Sequence, residues 1–297
     1  LLDLGASRAE FRKLIGNLGL PVRLKIGDVE RSWFRALKVD VIVRAKHSPA
    51  RYWKDVSALI RKSPFSAPVK ERALAIFRNL FEAESRVHGC PFEKTHLHEA
   101  GADDAMVDVL GASWLVEELG VGPVYASPLN VGEGWVKTSH GVLPVPPPAV
   151  AELLKGVPVY SAHVKEELVT PTGAAIVKTL VDRFLSFPEL VYDRIGYGAG
   201  SRDTESLPNI LRVFFGREAA FRPDKRVFLI ESTVDDSTPQ VLAAFMERAL
   251  ELGALDAFIS PIVMKKGRLA SKLTLLAEAD RMDGLITAVF RETSSIG

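Results

Sequence analysis

The chain has 297 residues, a formal net charge of +1, and 47% hydrophobic against 25% charged residues. That is room for two domains of ordinary globular composition, and the balanced charge gives no reason to expect nucleic acid or an anionic membrane as partner. No run of about 18 apolar residues is present to span a bilayer. Cys90 is the only cysteine, which rules out an intramolecular disulfide and a Cys-rich zinc site, points to a cytoplasmic location, and leaves any metal to histidine, carboxylate or the substrate itself.

Leu1 to Ala6 begins as though inside a helix and Arg291 to Gly297 is a polar tail, so the full protein is expected to extend at both ends. Residues 1–19 read as a helix ending near Gly16 or Gly19. Leu37 to Val43 alternates like a strand, and Pro49 to Lys62 carries a short helix. Pro68 to His88 is an amphipathic helix: Val69, Ala73, Leu74, Phe77, Leu80 and Phe81 follow three-and-four spacing, Pro68 suits the first turn, and Gly89 ends it.

The stretch Lys94 to Asp108 gathers His96, His98, Glu99, Asp103, Asp104 and Asp108. In an extended segment His96 and His98 share a face, and the acidic residues then open a helix, where negative charge is favoured. Two imidazoles beside carboxylates suit a borderline divalent cation such as nickel, zinc or cobalt. On spacing alone a structural reading stands equally well: Asp103 or Asp104 as a helix cap, the histidines as hydrogen-bonded strand residues. Asp108 is the odder residue. Its helix is apolar nearly all round, where a carboxylate is costly unless paired or coordinated, and it lies one turn from Asp104.

Further on, Val124 to Val131 reads as a strand that turns through Gly132 and Gly134 into Trp135 to Thr138 as a hairpin. Ser139 to Pro148, with His140 in the turn before it, is expected to be a polyproline II wall, followed by a short helix from Ala149 to Lys155. Thr170-Pro-Thr-Gly173 precedes a helix over Ala174 to Phe184. Thr170 or Thr172 caps it, and its free amides offer an anion site. Gly196 to Asp203, which includes Arg202, reads as a mobile Gly-rich loop rather than a dinucleotide fingerprint, followed by a strand from Ile210 to Phe215.

Ala219 to Lys225 reads as a linker. Beyond it come strand Val227 to Ser232, helix Pro239 to Leu252, strands Ala257 to Met264 and Leu273 to Ala277, and helix Met282 to Phe290. That β-α-β-β-α order is a ferredoxin-like, split βαβ unit lacking its last strand. The fold class is therefore α+β: an N-terminal mixed α/β domain over residues 1–218, then a truncated ferredoxin-like domain over 226–297. Asp235 and Asp236 fall between its first strand and helix, and Lys265, Lys266 and Arg268 fill a hairpin turn, a set that suits a metal–triphosphate. A helix cap and a solvated basic turn would look the same. A sheet edge left by the missing strand favours a homo-oligomer.

Six ordered motifs together resemble one family, the nickel-insertion proteins of lactate racemase maturation (LarC). They are His96-Leu-His-Glu-Ala-Gly-Ala with Asp104 and Asp108; Ser139-His-Gly-Val-Leu-Pro-Val-Pro-Pro-Pro; Glu167-Leu-Val-Thr-Pro-Thr-Gly-Ala-Ala; Gly196-Tyr-Gly-Ala-Gly with Arg202 and Asp203; Glu231-Ser-Thr-Val-Asp-Asp-Ser-Thr-Pro; and Pro261-Ile-Val-Met-Lys-Lys-Gly-Arg. The chain departs from the family pattern in keeping only His47 where members carry a His-rich loop.

The resemblance implies a CTP-dependent cyclometallase, a lyase-type nickel chelatase. It would insert Ni2+ into a pyridinium bis-thiocarboxylic acid mononucleotide to make the nickel-pincer cofactor, which a dependent racemase receives. CTP with Mg2+ or Mn2+ would sit in the C-terminal unit. On this reading His96, His98, Asp104 and Asp108 handle the metal, and Glu99 or Asp104 accepts the ring proton. His140, Thr170, Thr172, Gly173, Arg202 and Asp203 would meet the mononucleotide; Asp235, Asp236, Lys265, Lys266 and Arg268 would meet CTP. The competing readings are a nucleotide-dependent nickel chaperone without chemistry, and a metal hydrolase built on His96, His98 and Asp104.

Overall fold

A computed structural model describes residues 1–44, 50–97, 103–138, 140–201, 208–218 and 227–295. The chain divides into two compact units, Leu1–Ala219 and Ala220–Gly297, each with its own apolar core.

The first unit opens with a 3-10 turn at Leu2–Leu4 and α1 (Arg8–Gly16), then the strands β1 (Val22–Arg31) and β2 (Phe34–Val43). These two form a regular antiparallel hairpin, turned by Ser32 and Trp33, both at positive φ. Next come β3 (Arg51–Tyr52), α2 (Trp53–Lys62), α3 (Ala67–His88), a 3-10 turn at Phe92–Lys94, β4 (His96–Leu97) and α4 (Asp103–Glu118). Short elements follow: β5 (Tyr125–Ala126), β6 (Leu129–Asn130), β7 (Trp135–Thr138), β8 (Gly141–Pro144), α5 (Pro148–Leu153) and β9 (Val159–Tyr160). The unit closes with α6 (Pro171–Leu180), β10 (Arg183–Phe184), β11 (Leu190–Ala199) and β12 (Ile210–Glu218). Its main sheet has the order β1-β2-β11-β12, with β11 parallel to β2 and antiparallel to β12.

α3 is the spine of this unit. Ser66 caps it by accepting from the Val69 amide, a proline sits in its first turn, and Gly89 ends it in the left-handed conformation, where only glycine avoids a Cβ penalty. Val69, Ala73, Ile76, Phe77, Leu80, Phe81 and Ala83 form its buried stripe, and α4, α5 and α6 pack around it. α4 crosses α1 closely at Gly111: a Cβ there would stand 2.9 Å from the Phe11 ring, which itself stacks on Trp114 at 5.9 Å between centroids.

Several segments differ from what their sequence implies. The expected strand over Val124–Val131 is split into β5 and β6, which pair in parallel with β10 and β9 respectively. Trp135–Thr138 does not return along that segment but forms its own hairpin with β8, so the proline-rich stretch begins as strand, not as a polyproline wall, and becomes helix at Pro148. The helix expected to run to Phe184 stops at Leu180. The glycines at 196 and 198 lie inside β11 rather than in a loop. A side chain at Gly196 would press on Leu4 Cγ at 3.0 Å, so glycine there admits the N-terminal turn against the sheet.

The second unit contains β13 (Val227–Val234), α7 (Pro239–Glu251), β14 (Asp256–Val263), β15 (Leu269–Glu278) and α8 (Met282–Glu292). The sheet order is β13-β15-β14, with β15 antiparallel to both neighbours. Leu242, Phe245 and Ala249 of α7 and Leu285, Ala288 and Val289 of α8 share a core with Leu273, Leu275 and Ala277. Thr238 caps α7 through the Val241 amide. No helix among the described residues is long and apolar enough to cross a membrane.

Candidate metal-handling and nucleotide sites

The His96 strand is held from two sides. In the two-rung ladder Tyr52 pairs with His96 and Arg51 with Leu97, and the Tyr52 and His96 rings lie 5.7 Å apart. Behind the ladder Trp53, Phe81 and Phe92 form an aromatic triad with centroid separations of 5.5–5.8 Å. Trp53 directly follows β3 and Phe92 precedes β4, so burying these rings fixes both strands. Thr95 adds a local clamp: its hydroxyl donates to the Pro91 carbonyl at 3.0 Å and lies 3.2 Å from Cys90 Sγ.

Arg51 also reaches forward, forming an ion pair with Asp103, the first residue of α4. Both side chains are largely buried, at 12% and 2% exposure. A buried carboxylate is tolerated because the guanidinium neutralises it. Asp103 is thus neither a simple cap nor a free ligand; it ties α4 to the histidine strand. This pair was missed in the sequence because nothing near Arg51 marks it.

Asp104 and Asp108 follow on the one polar stripe of α4. Residues 105–107, 109–111 and 113–116 are buried, while Asp104 and Asp108 are exposed. The helix is apolar nearly all round, as its sequence implies, and the face that carries this pair is the exception. Asp104 Oδ1 accepts from the Ala105 amide at 2.9 Å. The Asp108 carboxyl is pushed up to about 6, first by desolvation among surrounding protein and then by the neighbouring Asp104 charge.

His47, His98, Glu99, Arg202 and Asp203 lie outside the described residues. Among those described, no three His, Cys, Asp or Glu side chains converge as a complete metal site, so the three fixed ligands a hydrolase would require are not seen there. His140 sits in the β7–β8 turn, its amide donating to Thr138 Oγ1 at 3.1 Å, and its ring packs against His88. Thr170 caps α6, accepting from the Gly173 amide at 3.3 Å, with Thr172 in the same first turn; that amide is already engaged by the protein.

In the second unit, Asp235 and Arg268 meet at 3.2 Å across the end of β13 and the β14–β15 turn. The side chain of Asp236 accepts from the Ser294 hydroxyl, beside Ser237. Lys265 and Lys266 are exposed at the turn, Lys266 with φ of 65°. Of the carboxylates and the basic turn, Asp235 and Arg268 are brought together, and Glu231 and Lys272 pair at 2.7 Å on the adjoining strands.

A family model described as nickel insertion protein matches residues 1–297. The chain belongs to the nickel insertion protein family. Other members include a protein named for nickel insertion from Geotalea uraniireducens (strain Rf4), 41% identical over 300 residues that cover all of this chain and 77% of the relative. Another from Pelobacter propionicus (strain DSM 2379 / NBRC 103807 / OttBd1) is 44% identical, covering 100% and 76%. A pyridinium-3,5-bisthiocarboxylic acid mononucleotide nickel insertion protein from Thermotoga petrophila (strain ATCC BAA-488 / DSM 13995 / JCM 10881 / RKU-1) is 41% identical over 305 residues, covering 100% and 76%. Among solved structures, the apo C-terminal domain of a cyclometallase involved in synthesis of the NPN cofactor of lactate racemase shares 42% identity over 24% of this chain and 49% of that one, with a TM-score of 0.24.

Proposed function

We propose that this protein is a CTP-dependent nickel-inserting enzyme acting on a pyridinium bis-thiocarboxylic acid mononucleotide, the substrate in the name of its Thermotoga relative. The observation that best supports the chemistry is the Asp104–Asp108 stripe at the start of a helix that Arg51 ties to the His96 strand.

Insertion replaces a pyridinium C–H bond by a carbon–nickel bond, so one proton must leave as the ring carbon gives its electron pair to Ni2+. The thiocarboxylate sulfurs are soft donors that take nickel from weaker N/O ligands, so a protein site of few ligands serves delivery better than a closed one. His96, His98 and Asp104 would deliver the ion. Asp108, whose proton affinity desolvation raises, would accept the ring proton, with Glu99 or Asp104 as the alternative. The mononucleotide phosphate would rest near Thr172 and Gly173 at the start of α6, with His140, Thr170, Arg202 and Asp203 as further contacts.

The second unit would be a ferredoxin-like domain that holds CTP. Its strand order supports this, with β13 and β14 flanking β15, and so does the facing of Asp235 and Arg268. Asp235 and Asp236 would bind Mg2+ or Mn2+ on the triphosphate, and Lys265, Lys266 and Arg268 its oxygens. The product would pass to a racemase that uses the nickel cofactor, and the protein would act as a homo-oligomer.

The test is single-turnover metallation with the thiolated mononucleotide, NiCl2 and CTP, followed by product absorbance and nickel content. Wild type should form the nickel-loaded product and Asp108→Asn should not. A wild type that binds nickel and CTP but leaves the ring C–H intact would make the protein a carrier rather than an enzyme.

A further inference from the structure

We infer that His88 and His140, with Glu84 behind them, form a binding site for a borderline divalent cation. The two ring centroids lie 5.1 Å apart, with the ring planes tilted by 51°. Two imidazoles that share one first-row ion through bonds of about 2.0–2.1 Å place their ring centres roughly 4.5–5.2 Å apart at octahedral to tetrahedral angles. The separation of this pair falls within that range, the two rings being brought together from the last turn of α3 and the turn between β7 and β8, 52 positions apart in sequence.

Two features favour a cation there over a bare ring contact. His88 Nε2 lies 3.2 Å from Glu84 Oε2, one helical turn back. A carboxylate on one imidazole nitrogen fixes the tautomer and makes the other nitrogen a better ligand, the arrangement common behind metal-bound histidine. His88 also sits at the C-terminal end of a 22-residue helix, where backbone carbonyls give negative potential that stabilises positive charge. Both rings are exposed, so an ion has access. Two protein ligands leave positions for water or for an incoming donor, which describes a loading or exchange site rather than a structural one. Imidazole ligands select Ni2+, Co2+, Zn2+ or Cu2+ over Mg2+ or Ca2+.

The site is tested by titrating the full chain with NiCl2 and, separately, CoCl2, by calorimetry and by the visible absorbance of bound Co2+, without mononucleotide or CTP. His88→Ala and His140→Ala should each lower affinity at one site by about ten-fold or more, and Glu84→Gln by a smaller factor. MgCl2 should give no competing signal. His88→Gln and His140→Asn, checked by circular dichroism, repeat the test should an alanine variant misfold. Wild-type affinity and Co2+ spectrum in both histidine variants would overturn the site and leave only a ring contact. Since this readout needs no turnover, it is separate from the insertion chemistry: an intact binding signal with no product refutes insertion alone, and normal product with no binding at the pair refutes this site alone.

Discussion

Arg51 and Asp103 form a buried ion pair that joins β3 to the first residue of α4. It binds the histidine-bearing ladder to the aspartate-bearing helix. Removing one member strands the other charge in a poorly solvated place, which costs about 3–5 kcal/mol. Asp103→Asn and Arg51→Met should each lower urea-unfolding stability by roughly that amount, while the double variant recovers much of it. Equal losses in the single and double variants would show that the two groups are not coupled.

Gly111 is a second packing constraint. Alanine in mid-helix is normally favoured over glycine by about 1 kcal/mol. Here its Cβ would meet the Phe11 ring at 2.9 Å, and that ring is buried and stacked on Trp114, so it has little room to retreat. Overpacking costs typically 1–3 kcal/mol. Gly111→Ala should therefore destabilise despite the propensity gain, by about 1 kcal/mol net. Thermal unfolding of this variant beside a solvent-facing control, Gly16→Ala, where nothing lies within 4 Å, separates the two effects: the control should gain stability.

What could be read from the sequence was governed by local signals. α3 was legible to within one residue because first-turn proline, apolar period and terminal Gly89 agree. The β-α-β-β-α order of the second unit was legible for the same reason. The hairpin of β1 and β2 was half missed: Val22, Leu24 and Ile26 alternate, but its turn uses Ser32 and Trp33 at positive φ instead of the Asn-Gly signal that marks such turns. The split of β5 from β6 was not legible at all, since each half finds a partner more than 25 residues away. In the candidate site the Asp104–Asp108 face was visible from its four-residue spacing. The role of Asp103 and the meeting of His88 with His140 were not, because both depend on which elements pack together.

At the basic turn of the second unit, Arg268 is already committed to Asp235 while Lys265 and Lys266 extend into solvent. The lysines should then carry most of the triphosphate contacts, beside Arg268. Each charge-assisted hydrogen bond is worth about 1.5–3 kcal/mol, so Lys265→Ala with Lys266→Ala should weaken CTP binding by about 100-fold or more and leave Ni2+ binding unchanged. Because the charges are exposed, the variant should unfold as wild type does. Calorimetric titration of CTP with MgCl2 decides this, and a wild-type isotherm would remove the turn from the nucleotide site.

Asp108 links stability, metal and pH. Its carboxyl is raised to about 6 from near 3.9 in an unfolded chain, so between these values the folded state binds more protons than the unfolded one. Stability must then fall as pH rises through this window. Below about pH 4 both states are protonated and no penalty remains; above pH 6 the penalty is complete. Asn mimics the protonated carboxyl in shape. Asp108→Asn should therefore match wild type near pH 4 and melt at a higher temperature above pH 6, with the gap opening between. Asp104→Asn should narrow the gap in otherwise wild-type protein, because it removes the second cause of the raised value. Nickel should reverse the sign: an ion delivered beside Asp108 would favour its ionised form, so saturating NiCl2 should stabilise wild type at pH 7.5 and leave Asp108→Asn nearly unmoved. Melting curves from pH 4 to 8, with and without NiCl2, check every step. A constant difference across that range would place the Asp108 titration outside the folding equilibrium, and equal stabilisation of both proteins by nickel would remove Asp108 from the metal's path.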